Sequence, residues 1–406
     1  MSERQESQNM EATVAKQVIL PGATIGMVGG GQLGRMFAIA AARMGYRVGV
    51  FCGSSDEPAA EVAAFTVCGP LTDHSAIEAF AKRCDVITLE FENIPADTIA
   101  ACSKHAPTYP DASVLAMAQD RWIEKTTLRA AGIPVAGFEP VHDRETAIAA
   151  GEKLGWPIIV KTCRSGYDGK GQHRLNSPDD AANVQWAGAE SGGDGQPPWV
   201  AEALVPFERE ASVIVARTLD ERFETFPVFE NDHQNHILDE TKLPAEVSPE
   251  MQTQAREIAT RVAEHLGLVG LLCVELFVTA DELVVNEVAP RPHNSGHVTI
   301  EACATSQFEQ HVRAICGLPL GDTSMVVPAA SMLNLLGDIW EAAEARDAHP
   351  DWEACLETPG VVLHLYGKHA ARAGRKMGHV SAVGNDLAEV SERLRVARER
   401  LLGGRG

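Results

Sequence analysis

The sequence is poor in positive charge: 35 Lys and Arg stand against 56 Asp and Glu, a formal net charge of −21 at pH 7. Such a chain is not a general nucleic-acid binder. An anionic ligand must be held by a local basic cluster working against the overall field. There is no C-x-x-C pair among the nine cysteines, an odd number, which reads as reduced thiols in a cytosol rather than disulfides or a zinc site. No apolar run approaches about 18 residues, so no membrane span is expected. Residues 1–17 are polar and lack the apolar core of a signal peptide, and residues 1–20 are expected to form a disordered tail. No P-loop motif and no internal repeat occur. What is present is length and apolar content: 406 residues at 45% hydrophobic allow two or three domains with real cores.

Residues 24–28 form a short apolar run followed by Gly29-Gly30-Gly31-Gln32-Leu33-Gly34. Helical spacing over 35–44 and a strand over 46–51 complete a β-α-β unit with a glycine-rich turn at the helix N-terminus, suited to an anion. A dinucleotide role is disfavoured, because the second strand ends in Phe51-Cys52-Gly53 with no acidic ribose partner. The turn is expected to face a substrate phosphate, with Gln32 aimed at the ligand. A second unit runs through a strand at 63–67, a helix at 73–82 and a strand at 85–89. It ends in Glu90-Phe91-Glu92, where either acid is a candidate for an amine-bearing ligand or a plain solvated residue.

Further on, a helix from about residue 113 is expected to carry Asp120, Arg121 and Lys125, with Arg121 either at a phosphate or solvated. The apolar strand 157–161 ends in Lys161, a familiar phosphate partner when aimed into a cleft. Then Gly166, Gly169, Lys170, Gly171 and Gln172, with Tyr167 and Asp168 between them, make a donor-rich loop able to close over phosphates. Residues 199–205 read as a strand leaving into a hinge whose backbone can meet an adenine edge, and Glu210 is placed to hold a ribose. Residues 212–217 and 223–229 look like antiparallel neighbours, with His233 in the polar loop that follows.

The most informative stretch is 270–297. Runs at 271–278 and 282–288 are joined by Thr279-Ala280-Asp281, so antiparallel pairing can bring Glu275 to Glu287. A carboxylate inside an apolar strand needs a partner, and hard carboxylate oxygens suit Mg²⁺ carrying nucleotide phosphates. Arg291, His293, Asn294 and His297 follow on a loop with two prolines, fit to hold an anion beside the metal. Near the C-terminus, strands at 331–336 and 361–366 flank a helical stretch at 338–346. Lys368, Arg372, Arg375 and Lys376 then gather four cations within nine residues, which read as a phosphate site in an otherwise acidic chain, the alternative being a solvated basic turn. A helix runs from residue 387 to the Gly403-Gly404 pair.

In this order the pieces resemble the ATP-grasp superfamily and, within it, the 5-(carboxyamino)imidazole ribonucleotide synthase family. The strings GMVGGGQLGRM, ITLEFENIP, IVKTCRSGYDGKGQ, AEALVPFEREAS, NEVAPRPHNSGH and YGKHAARAGRKMGHV carry the likeness over about 22–380. The resemblance implies an α/β chain, α+β in parts, with an ATP-grasp fold. It implies a Rossmann-like pre-ATP-grasp domain over 21–117, an ATP-grasp domain over 118–315 in two lobes hinged near 202–206, and a small β-rich domain over 316–406. It implies that Lys161, the loop Gly166, Tyr167, Asp168, Gly169, Lys170, Gly171 and Gln172, the strand end Glu202, Ala203, Leu204 and Val205, and also Glu210, His233, Asn286 and Glu287 hold ATP, with Arg121 near the phosphates. Glu275 and Glu287 match Mg²⁺ ligands, two ions being expected. Tyr167, Asp168, Arg291, Asn294, Lys368, Arg375 and Lys376 match the ribonucleotide and bicarbonate side, as do Gln32 and Glu90. The polar N-terminal extension and the glycine-rich insertion at 187–198 depart from the pattern without touching a motif.

The implied reaction is ATP- and bicarbonate-dependent carboxylation of the exocyclic amine of 5-aminoimidazole ribonucleotide in purine biosynthesis. Bicarbonate would leave hydroxide, so phosphorylation to carboxyphosphate supplies a better leaving group. Arg291 is expected to hold bicarbonate, His293 to move a proton, and Tyr167, Asp168 and Lys368 to act at the reacting centre. A cytoplasmic homodimer passing its product to a separate mutase is expected, with no nucleic-acid or membrane partner. Three rivals stay open. One is a formate-using ATP-grasp enzyme of glycinamide ribonucleotide, against which Tyr167, Asp168 and Asn294 speak. The others are a binding protein without turnover and a Rossmann oxidoreductase.

Overall fold

In the computed structural model, residues 18–166, 169–188 and 195–403 are described here. The N-terminal strands β1 (Thr24–Val28), β2 (Arg47–Cys52), β3 (Phe65–Cys68), β4 (Val86–Leu89) and β5 (Thr108–Tyr109) form a parallel sheet in the order β3-β2-β1-β4-β5. Helices α1 (Gln32–Arg43), α2 (His74–Ala81) and α3 (Ala96–Ser103) make the crossovers. Helix α1 buries Met36, Phe37 and Ala41 on one face, as its apolar spacing dictates. The fold begins earlier than the expected tail at 1–20 allows. Ile19 N–H donates to Cys316 O at 2.9 Å, and Tyr46 Oη donates to Ile19 O at 2.6 Å.

The single helix expected from residue 113 is two, α4 (Ala112–Ala118) and α5 (Arg121–Ala130). Asp120 divides them. Its carboxylate accepts from Trp122 N and Ile123 N, so it caps α5 instead of continuing α4. Strands β6 (Phe138–Val141), β7 (Ile158–Thr162), β8 (Gln172–Leu175) and β9 (Trp199–Ala203), with α6 (Arg144–Leu154), form a four-stranded lobe in the order β6-β9-β7-β8.

The chain then enters a larger sheet through β10 (Arg209–Arg217), β11 (Phe223–Thr225), β12 (Phe229–Gln234) and β13 (Ile237–Leu243). The expected strand at 223–229 is thus two, and His233 lies in β12 and not in a loop. After α7 (Pro249–His265), β14 (Gly270–Val278) and β15 (Leu283–Ala289) make the hairpin, followed by α8 (Thr299–Ala302) and α9 (Gln307–Ile315). The C-terminal part supplies β16 (Ala329–Leu336), α10 (Asp338–Glu344), α11 (Trp352–Leu356), β17 (Val361–Leu365), β18 (Lys376–Gly384) and α12 (Leu387–Leu401). Its strands do not form a sheet of their own. They extend the large sheet, whose order is β15-β14-β10-β12-β13-β16-β18-β17, with β11 also paired to β10.

Candidate active site

The site starts from the hairpin. Glu275 in β14 is the direct cross-strand partner of Glu287 in β15, as the alternation of apolar residues requires. The pairing then slips: Leu276 faces Val285, which leaves Asn286 as a bulge residue. A bulge re-aims side chains, and here consecutive Asn286 and Glu287 both reach the cleft. That cleft has a volume of about 1030 Å³ and is walled by all three parts of the chain.

At its floor, Glu202 of β9 is held between two lysines. Its carboxylate lies 3.1 Å from Lys125 Nζ and 3.1 Å from Lys161 Nζ, all three side chains being buried. Lys125 also donates to Asn286 O (3.1 Å), and Lys161 to Asn286 Oδ1 (3.4 Å). Burial lowers the Lys161 pKa; Glu202 opposes this, while repulsion from Lys125 and Arg121 adds to it. Burial alone would raise Glu202, but the two ammoniums beside it outweigh this and hold it below the usual range. The sequence suggested only backbone contacts for residue 202; the side chain is instead the counter-ion that orders Lys161.

Above this floor, Arg121 donates to Glu287 at 2.6 Å and to Gly166 O at 3.1 Å. Burial works against charge on Glu287, but Arg121 and then Lys161 bring its pKa down to about 2. Glu124, one helical turn below, is pushed up to about 8 by burial against the pull of Lys125. Glu210 pairs with His233. Ile159, Leu204, Phe207 and Phe277 give the cavity an apolar side, with the Phe207 and Phe277 rings stacked at 4.5 Å.

On the opposite side, Arg291 forms a bidentate pair with Glu92, both contacts 2.8 Å. His293 Nε2 lies 3.0 Å from Glu275. Its Nδ1 lies 2.9 Å from Ser295 Oγ and 3.3 Å from the Ser295 N–H, which can only donate. Burial works against charge on this ring, while Cys273 and then Glu275 favour it and raise its pKa above the ordinary value. The Ser295 N–H, however, needs a lone pair at Nδ1. The geometry decides: Nδ1 accepts, and Nε2–H donates to Glu275. Asn294 is buried in the cavity wall, yet neither its amide nitrogen nor its oxygen has a hydrogen-bond partner.

Of the residues expected from the sequence, Gln32, Glu90, Arg121, Lys161, Gly166, Gly169, Gln172, Glu202, Ala203, Leu204, Val205, Glu210, His233, Glu275, Asn286, Glu287, Arg291, His293, Asn294 and Lys376 line this one cavity. Tyr167 and Asp168 lie outside the described residues. Lys170 and Gly171 belong to the same loop segment, where Gly171 O accepts from Thr162 N at 2.8 Å. Two N–H groups of the glycine turn are already taken by Glu90, which accepts from Gly31 N (2.5 Å) and Gly34 N (2.8 Å). The anion seat at this helix N-terminus is filled from within. Lys368 and Arg375 are not on the cavity wall. Lys368 Nζ donates to Lys376 O (2.6 Å), and Arg375 donates to Ala370 O. Glu92 was expected to meet an amine-bearing ligand or solvent, and Lys125 was read only as a helix residue; the long-range partners Arg291 and Glu202 are what the structure gives them.

Comparison with known proteins fits this geometry. The ATP-grasp domain family matches residues 126–308, the ribonucleotide synthetase preATP-grasp domain residues 22–119, and the phosphoribosylaminoimidazole carboxylase C-terminal domain residues 330–393. The N5-carboxyaminoimidazole ribonucleotide synthase of Bacillus subtilis is 43% identical over 371 residues, covering 91% of this chain and 93% of that protein. The chain belongs to the N5-carboxyaminoimidazole ribonucleotide synthase family. It is an ATP-grasp ligase. A bifunctional purine synthesis protein of Dictyostelium discoideum is also 43% identical over 382 residues, 90% of this chain, but the match spans only 37% of that longer protein. The Aspergillus clavatus synthase, solved with ADP and 5-aminoimidazole ribonucleotide, superposes with a TM-score of 0.82 at 30% identity, covering 93% of this chain and 99% of that one. Among the described residues no helix is long and apolar enough to cross a membrane.

Proposed function

We propose that this chain uses ATP and bicarbonate to carboxylate the exocyclic amine of 5-aminoimidazole ribonucleotide, through carboxyphosphate, giving 5-carboxyaminoimidazole ribonucleotide, ADP and phosphate. The observation that carries this reading is Asn294, a buried amide with no partner, beside Arg291 and His293 in the cavity that also holds Glu275, Glu287 and Lys161. An unpartnered buried amide is costly, and a ligand with a polar ring edge would satisfy it.

Glu275 and Glu287 fit Mg²⁺. Among the described residues no three His, Cys, Asp or Glu side chains converge into a closed cage. Two carboxylates on one wall suit an ion that keeps water and takes phosphate oxygens as its other ligands. When bound, it neutralises charge on the transferring phosphoryl group. Lys161, fixed by Glu202, and Arg121, once it shares Glu287, add cationic charge at the same place. Arg291 holds bicarbonate with the edge not used by Glu92, and His293 moves a proton at Nε2. Lys376 meets the ribonucleotide phosphate, with Lys368 and Arg375 joining it when the turn closes. Tyr167 and Asp168 act on the substrate side.

The same reading takes the domain limits as 21–117, 118–315 and 316–406, the matched family segments being in support. It also takes the protein as a cytoplasmic homodimer whose product goes to a separate mutase. The test is ADP release with each candidate ribonucleotide, with and without bicarbonate. The proposal requires bicarbonate-dependent release with 5-aminoimidazole ribonucleotide. Stimulation by formate and glycinamide ribonucleotide instead would replace it.

A further inference from the structure

The His293 ring is reached from behind by a chain of buried polar side chains that do not line the cavity. Thr241 of β13 lies 3.0 Å from Asn231 Oδ1, and Asn231 Nδ2 of β12 lies 2.8 Å from Ser212 Oγ of β10. Ser212 Oγ lies 2.9 Å from Ser295 Oγ, which lies 2.9 Å from His293 Nδ1. Thr241, Ser212 and Ser295 are fully buried, and Asn231 is 4% exposed. Cross-strand pairing places the chain: Asn231 faces Thr241, and Ser212 faces Glu275. The peptide of His293 is fixed as well, since Gln307 accepts from its N–H at 2.8 Å and donates to its carbonyl at 2.7 Å.

Each hydroxyl could point either way, but one end of the chain is not free. The Ser295 N–H is directed at Nδ1, and a backbone amide cannot accept. Nδ1 therefore carries its lone pair, and the Ser295 hydroxyl donates to it. Ser295 Oγ then accepts from Ser212, Ser212 accepts from the Asn231 amide, and Asn231 Oδ1 accepts from Thr241. Every donor in the line is used once and in one direction.

We infer that Ser212 and Asn231 are positioning residues, which through Ser295 hold the His293 ring in one orientation, with Nδ1 accepting and Nε2–H aimed at Glu275. This deepens the proposed function, on which its catalytic consequence rests. The ring's hydrogen-bonding is a property of the resting protein and does not depend on it. A lone pair held at Nδ1 leaves Nε2–H as the ring edge presented to Glu275 at the cleft.

The experiment is nitrogen NMR of the full chain labelled at its histidine rings, with His293 assigned by loss of its signals in His293→Gln. In the wild type, Nδ1 should give the signal of an unprotonated ring nitrogen and Nε2 that of an N–H. Ser212→Ala should broaden or mix these signals and lower kcat about three- to tenfold, the range of one neutral hydrogen bond, leaving the KM for ATP within about twofold on the same scale. Asn231→Asp offers Ser212 an acceptor in place of a donor, so it should shift the ring toward the Nδ1–H form. A protonated Nδ1 in the wild type overturns the inference without any variant. Unchanged His293 signals in folded Ser212→Ala and Asn231→Asp overturn it too. Wild-type protein with the expected ring signals but no carboxylation of the ribonucleotide would instead sink the proposed function and leave the chain standing.

Discussion

Arg291 and Glu92 face each other through two parallel contacts of 2.8 Å, and they come from different parts of the chain, the loop after β15 and the loop after β4. The pair is half-buried, and it ties the N-terminal sheet to the catalytic loop and limits how Arg291 can turn toward an anion. Burial alone would raise Glu92, but the Arg291 guanidinium outweighs it and holds the carboxyl below its ordinary value.

Glu92→Gln should keep one acceptor for Arg291 and lose the charge. Arg291 would then turn more freely, and the KM for bicarbonate should change more than that for ATP. Because the folded carboxyl is depressed, its stabilisation is present above the unfolded pKa and fades as pH falls through the folded value. The variant should therefore lose part of the acid-induced drop in stability seen in wild type. Identical acid unfolding curves for the two proteins would contradict this.

Glu202→Gln removes the carboxylate that lies 3.1 Å from both Lys125 and Lys161. Two buried ammoniums lose their counter-charge, and breaking such a pair costs about 3–5 kcal/mol. The urea midpoint should fall and the KM for ATP should rise together. A variant with wild-type stability would mean that the lysines find another partner.

Lys368 is pulled down to about 8, first by burial and then by Arg375. In the folded chain its charge is thus disfavoured: the cost to stability is fully present below about 8 and disappears as pH rises toward the ordinary lysine value of 10.5. Binding runs the other way. As pH passes upward through 8 the ammonium is lost, and the KM for the ribonucleotide should rise while that for ATP stays level. Lys368→Arg should flatten that rise, and a parallel rise in both KM values would remove Lys368 from the phosphate site.

Glu287→Gln should abolish ATP turnover with little change in fold, since Arg121 keeps a neutral acceptor in the same place. Near-normal turnover at saturating Mg²⁺ would take Glu287 out of the metal site.

Much of this was legible in the chain itself. Strand β1 falls on the expected residues, and the apolar alternation around Glu275 and Glu287 was enough to pair them across the hairpin. Local patterns failed where a partner far along the chain decides. Asp120 looks like one more polar helix residue until it is seen capping α5. His233 looks like loop because β12 is polar at its exposed end, and only pairing with β13 and Glu210 makes it strand. Glu92, Glu202 and Lys125 are ordinary charged residues in sequence; their meaning lies in contacts spanning 199 residues for Glu92–Arg291 and 77 for Lys125–Glu202. The Asn286 bulge has no signature at all, since neither glycine nor proline marks it.

The continuity of β13 with β16 has a practical side. Glu240 to Leu243 pair with Leu333 to Ala330, so the C-terminal strands cover what would otherwise be a raw margin of hydrogen-bonding groups. A chain cut before Ala329 would not be a smaller enzyme lacking a phosphate grip. It would expose β13 as a template for other chains, and its failure would show first as insolubility.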